Sequence, residues 1–112
     1  MVGKRFAGNT VLVTGGGSGI GLATAEAFAA EGAAVAIAGV SPDRAKQAAE
    51  KIRAQGGNAV AVHADVRDPE AVAAMLQAAL EALGPLDILV NSAGYREITS
   101  FLDISFADWQ MV

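Results

Sequence analysis

Short runs of consecutive apolar residues alternate along this chain with longer segments whose apolar positions recur every three or four residues. The short runs are rich in Val, Ile and Leu and predict strands at Thr10–Thr14, Ala34–Ala38, Ala59–His63 and Leu86–Asn91. They are apolar almost throughout, the pattern of parallel strands covered on both faces. The longer segments predict helices. The clearest carries Val72, Met75, Leu76, Ala79, Leu80 and Leu83 along one face. A second carries Ala45, Ala48, Ala49 and Ile52, and a first, alanine-rich helix starts near Ser18.

Punctuation fixes where these helices begin and end. Asp68-Pro69 and Ser41-Pro42 each place a capping side chain before a proline at the first helical position. Gly32, Gly56-Gly57 and Gly84-Pro85 supply the stops. The order is β-α-β-α-β-α-β, followed by a tail from Tyr95 with a short turn near Phe101 and a new helix near Phe106. Such alternation predicts an α/β fold with right-handed crossovers. In the doubly wound version the strand order is 3-2-1-4, and ligands bind in the crevice where strands 1 and 4 diverge.

Composition narrows the class. The chain has 112 residues, room for one domain, and 53% of them are hydrophobic, which excludes a disordered chain. Eight basic and 12 acidic side chains give a net charge of −4, so neither nucleic acid nor an anionic membrane is an expected partner. No cysteine and one histidine leave no basis for a metal site. No apolar run approaches the roughly 18 residues of a membrane span, and Asn9 and Thr10 interrupt the stretch after Lys4 and Arg5 before it resembles a leader. The expectation is a soluble, cytoplasmic protein.

The candidate chemistry lies where strand 1 meets its helix, in Thr14-Gly15-Gly16-Gly17-Ser18-Gly19-Ile20-Gly21. Unpaired N–H groups at a helix N-terminus hold phosphate, and glycines allow the tight turn and the close approach of backbone to ligand. A P-loop would need a Gly-Lys-Ser/Thr ending, and no lysine occurs between Arg5 and Lys46. The G-x-G-x-x-G spacing also fails, whereas T-G-x-x-x-G-x-G fits through Thr14, Gly15, Gly19 and Gly21. The alternative is a glycine-rich turn without a ligand.

This segment resembles the cofactor loop of the short-chain dehydrogenase/reductase family. Asn91-Ser92-Ala93-Gly94 is similar to that family's Asn-Asn-Ala-Gly motif, with Ser in the second position, and Asp65-Val66 to its adenine-contacting pair. Asp87 to Asn91 and Trp109 match further signatures, so the resemblance covers nearly the whole chain. It implies that Thr14, Gly15, Gly17, Ser18, Gly19, Ile20, Gly21, Asp65, Val66, Asn91, Ala93 and Gly94 serve a nicotinamide dinucleotide. Two of these keep plain alternatives: Asp65 as a loop carboxylate and Asn91 as a tie between loops.

The resemblance also implies hydride transfer to or from a small alcohol or carbonyl substrate. No acidic residue follows strand 2 before Asp43, where NAD sites place a carboxylate, while Ser41 and Arg44 could meet a 2′-phosphate. The balance tips to NADP, with Ser41 as a mere helix cap and Arg44 as a solvated side chain on the other side. The family's catalytic Ser, Asn and Tyr-x-x-x-Lys have no counterpart. Tyr95 is the only tyrosine, its fourth follower is Thr99, and the lysines are Lys4, Lys46 and Lys51. His63 reads as a packed or edge histidine. Residues 1–112 therefore read as the N-terminal, cofactor-binding half of a dehydrogenase, cut before the later strands, inactive alone and oligomeric when complete. A partner-completed binding module and a non-functional fragment are the alternatives.

Overall fold

A computed structural model describes residues 4–94 and 100–111. Its elements are β1 (Thr10–Thr14), α1 (Gly19–Ala30), β2 (Ala34–Gly39), α2 (Pro42–Ala54), β3 (Asn58–His63), α3 (Pro69–Leu83), β4 (Ile88–Asn91), a 3₁₀ turn (Phe101–Asp103) and α4 (Phe106–Met111). The strands form one parallel sheet in the order β3-β2-β1-β4. This is the doubly wound order, with the reversal between β1 and β4. Predicted boundaries shift by one residue at β2 and β3 and by two at β4.

Side-chain alternation along β1 divides the core into two layers. Val11 and Val13, with Val35 and Ile37 of β2, pack against Ala25 and Ala29 of α1 and against Ala45, Ala48, Ala49 and Ile52 of α2. Leu12, Ala36 and Ala38 face the other way, onto Met75 and Ala79 of α3. Alanines dominate the faces of α1 and α2 in contact with the sheet, so these helices lie close and the buried volume there comes chiefly from the strands.

Coverage of the sheet is uneven, which corrects the expectation of four strands buried on both faces. All of β1 and most of β2 are buried, while β3 buries only Ala59 and otherwise, like β4, alternates between partly covered and exposed positions. They are the sheet's edges among the described residues. Ile88 and Val90 lean on the core, but Leu89 is 56% exposed. The stripe on α3 is likewise wider than the surface it rests on. Met75 and Ala79 are buried and Val72 and Leu83 pack beside them, whereas Leu76 and Leu80 are exposed.

Asp87 locks the entry of β4. Its carboxylate accepts the Thr10 N–H at 2.8 Å, and its own N–H donates to the Thr10 carbonyl at 3.0 Å. His63, exposed at the end of the β3 edge, sits with Nε2 3.2 Å from the Val40 carbonyl. It is an edge histidine that ties two loops. In the tail, Ser105 Oγ accepts the Asp108 N–H at 3.1 Å and caps α4.

Candidate cofactor site

The loop between β1 and α1 is set by close packing on three sides. Gly16 N–H donates to the Ala38 carbonyl at 3.2 Å, pinning the loop to the end of β2. Gly15 has φ +65°, and a Cβ there would stand 2.8 Å from the Ala93 Cα and 2.9 Å from its nitrogen. The sequence suggested that Gly15 is small so that phosphate can approach. The structure supplies another reason: the β1 loop lies directly against the backbone of the β4 loop. A Cβ on Gly21 would overlap the Gly15 carbonyl, so the first turn of α1 can fold back onto the loop only with glycine.

Thr14 completes this junction. Its buried hydroxyl donates to the Val90 carbonyl at 3.4 Å and accepts the N–H groups of Ser92 and Ala93, each at 3.2 Å. These bonds occupy the hydroxyl inside the protein. Thr14 thus holds the β1 and β4 loops at a fixed separation beneath the site.

Above the junction α1 begins without a cap. Ser18 is extended, its side chain caps nothing, and the first turn carries no acid. The first intrahelical bond runs from the Leu22 N–H to the Ser18 carbonyl, so the N–H groups of Gly19, Ile20 and Gly21 have no partner within the helix. Ile20 is 82% exposed and Gly19 has φ +57° with open space around it. A helix start with free donors and a positive dipole end suits an anion.

This terminus opens on a cleft of about 680 Å³ at the C-terminal ends of the strands. Of the residues singled out from sequence, Gly15, Ser18, Ile20 and Gly21 line it from the glycine loop, and Ala93 and Gly94 from the β4 loop. Arg44 lines it from α2, and Asp65 and Val66 from the loop after β3. Residues 14–94 of one chain thus converge on a single depression. Thr14 lies beneath it, and Gly17 packs against α2, where a Cβ would come within 3.1 Å of the Arg44 Cβ. Gly19, Ser41 and Asn91 stand at the margins. Ser41 caps α2, its Oγ 3.4 Å from the Arg44 nitrogen, and Asn91 is exposed in register with Thr14. Tyr95 and Thr99 lie outside the described residues.

Among the lining residues that the sequence did not single out as candidates are Arg67, Gln110 and Met111. Arg67 is the informative one. Its Nε lies 2.9 Å from Asp65 Oδ1 and 3.1 Å from Oδ2, its Nη2 2.6 Å from Oδ2, and its backbone N–H donates to Oδ1 at 3.0 Å. These hydrogen bonds hold the Asp65 carboxyl at a pKa of about 2, below its ordinary range. A signal was present: an Asp two residues before an Arg in a post-strand loop can form an Asx turn whose side chains pair. Gln110 and Met111 come from α4, which no local spacing connects to the cleft.

The chain matches the family model described as short chain dehydrogenase over residues 9–112. It is 43% identical over 110 residues to meso-2,3-butanediol dehydrogenase of Serratia marcescens, covering 96% of this chain and 42% of that protein. Similarity to glucose 1-dehydrogenase 2 of Bacillus subtilis (strain 168) is 40% over 111 residues, covering 97% and 43%. The crystal structure of a dehydrogenase/reductase from Sinorhizobium meliloti 1021 superposes with a TM-score of 0.90 at 46% identity, covering 95% of this chain and 42% of that one. The chain therefore spans less than half the length of these relatives. With the 3-2-1-4 sheet and the glycine loop at its reversal, the match over residues 9–112 means that this chain belongs to the short chain dehydrogenase family.

Proposed function

We propose that residues 1–112 form the dinucleotide-binding half of an NAD(P)-dependent oxidoreductase acting on a small alcohol or carbonyl compound. One observation carries this reading: the uncapped N-terminus of α1 faces a cleft at the point where the strand order reverses. The residues fit such a cofactor. Gly15 and Gly21 leave no room for a side chain between loop and helix, and the free N–H groups of Gly19 to Gly21 offer donors to a pyrophosphate. Asp65 and Val66 would take the adenine end, and Ala93 and Gly94, with Asn91 at the margin, the nicotinamide end. When bound, the dinucleotide supplies the hydride acceptor or donor; this chain's part is to bind it, orient it and hold the two loops apart through Thr14.

The cofactor is NADP in this reading. No carboxylate stands at the end of β2 to repel a 2′-phosphate, Val40 there is 63% exposed, and Arg44 brings a guanidinium to the same wall of the cleft. Ser41 supports it less, because its oxygen already caps α2. Proton transfer to substrate falls to the portion of the relatives that has no counterpart in residues 1–112. A second reading, a binding module completed by another chain along β4, draws on the outer edge of that strand, unpaired among the described residues.

Calorimetric titration of the chain with NAD and with NADP tests both levels. The reading expects saturable binding with NADP the tighter, and Arg44→Ala should bring the two affinities together. Absence of binding to either dinucleotide would end the cofactor reading. Equal affinities in the unsubstituted chain would end the choice of NADP.

A further inference from the structure

The turn between β2 and α2 is tied down one carbonyl at a time. The Ala38 carbonyl accepts the Gly16 N–H at 3.2 Å, and the Gly39 carbonyl accepts the Ala64 N–H at 3.0 Å. There the backbone ladder ends, since Gly39 and His63 are the last partners in the register of β2 with β3. The next carbonyl, that of Val40, is held by a side chain instead: His63 Nε2 stands 3.2 Å from it. A carbonyl only accepts, so this ring nitrogen carries a proton and donates it. His63 thus extends the ladder one residue past the sheet, and it does so from outside the cleft that Val40 and Arg44 line.

We infer that His63 is a positioning residue for cofactor choice: by holding the Val40 carbonyl toward β3, it turns the Ser41 N–H toward the 2′ position of the bound ribose. The inference rests on the choice of NADP above and adds the residue that sets the turn. The peptide between Val40 and Ser41 is trans, so its N–H points opposite to its carbonyl. In the sheet β2 lies between β3 and β1. With the carbonyl drawn to β3, the N–H faces the side of β1 and its glycine loop, where Gly17 lies close against Arg44. Among the described residues that N–H has no hydrogen-bond partner, whereas the Ser41 carbonyl accepts the Ala45 N–H and Oγ accepts the Arg44 N–H. Gly39 leaves room nearby, because a Cβ there would meet no atom within 4 Å. A free donor, a guanidinium and open space therefore share one wall. Released from His63, the Val40 carbonyl is free to swing to that wall and set an acceptor against a phosphate. A 2′-phosphate gains more from the donor than a 2′-hydroxyl does, because a hydrogen bond to an ionised acceptor is about twice as strong.

Calorimetric titration of the chain and its His63 variants with NAD and with NADP tests the inference. His63 is exposed at the sheet's edge, so its replacement leaves the core intact. His63→Ala should weaken NADP binding on the order of fivefold, the worth of one hydrogen bond, and NAD binding by less than about twofold. His63→Gln should recover the NADP affinity, since its side-chain amide can donate to the same carbonyl, and His63→Leu should not. In the unsubstituted chain NADP should shift the Ser41 N–H resonance further than NAD does, and His63→Ala should remove that difference. Equal losses for both dinucleotides, an unchanged ratio in His63→Ala, or no recovery in His63→Gln would each overturn the inference and leave the choice of NADP in place. Equal affinities for NAD and NADP in the unsubstituted chain would overturn it together with that choice.

Discussion

The starts of α1 and α3 solve the same electrostatic problem in opposite ways. At α3, Asp68 accepts the Glu70 N–H at 3.0 Å, Pro69 removes a donor, and Glu70 adds a carboxylate in the first turn. The free N–H groups and the positive dipole end are met from within the chain. At α1, Ser18 caps nothing, no acid enters the first turn, and Gly19 and Ile20 stand where α3 has Pro69 and Glu70. The start of α2 resembles α3, with Ser41 as cap, Pro42 in the first turn and Asp43 after it. Stability alone would favour caps at all three, since each is worth about 1 kcal/mol. The helix that forgoes its cap is the one whose terminus opens on the cleft. The difference separates a terminus whose donors are met from within the chain from one left uncapped, which in the proposed function serves an anion.

The largest effect expected from breaking this contrast is at Gly21. Gly21→Val places a branched side chain on the Gly15 carbonyl, and titration should show complete loss of dinucleotide binding. Circular dichroism should show lowered stability, because the loop and the helix start cannot both keep their places. Converting α1 into a terminus like that of α3 comes next. Ser18→Asp should lower dinucleotide affinity about tenfold by setting a carboxylate against the anion, while stabilising the fold by about 0.5–1 kcal/mol through the new cap. A variant that is both more stable and a poorer binder is the signature of a terminus kept open.

The reciprocal change is smaller. Asp68→Ala should cost about 1 kcal/mol in denaturant unfolding and leave dinucleotide affinity unaltered. A loss of binding there would erase the distinction between the two termini. The smallest effect concerns pH. The Asp65 carboxyl should titrate near 2 in a carbon-detected NMR series, and Arg67→Ala should return its midpoint toward the ordinary 3.8. Because the folded value is the lower one, the pair's contribution is fully present above about pH 4 and fades as pH falls toward 2.

Much of the fold could be read from local pattern. Runs such as Val11-Leu12-Val13 mark buried central strands, and Ser41-Pro42 and Asp68-Pro69 mark two helix starts to the residue. The glycine loop stands out by its spacing, and Gly15, Ser18, Ile20 and Gly21 of it line the cleft. What escaped reading depends on contacts between distant segments. Periodicity cannot tell that Leu76 and Leu80 overhang the sheet or that Leu89 stands exposed on β4, since a stripe records apolar positions and not what covers them. The sequence marks Gly15 as a position that must stay small, but only the register of β1 with β4 shows that the Ala93 backbone is what it must clear. Thr14 resembles a ligand residue in sequence, and only the structure shows its hydroxyl fastening β1 to Val90 of β4 and to Ser92 and Ala93 beyond it.

The central claim, that the α1 terminus is an anion site, is tested most directly by following backbone N–H resonances while the chain is titrated with NADP. The account predicts saturable shifts largest at Gly19, Ile20 and Gly21, with Asp68 to Ala71 at the start of α3 unmoved. Binding that leaves the α1 amides unmoved, or no binding at all, would contradict it.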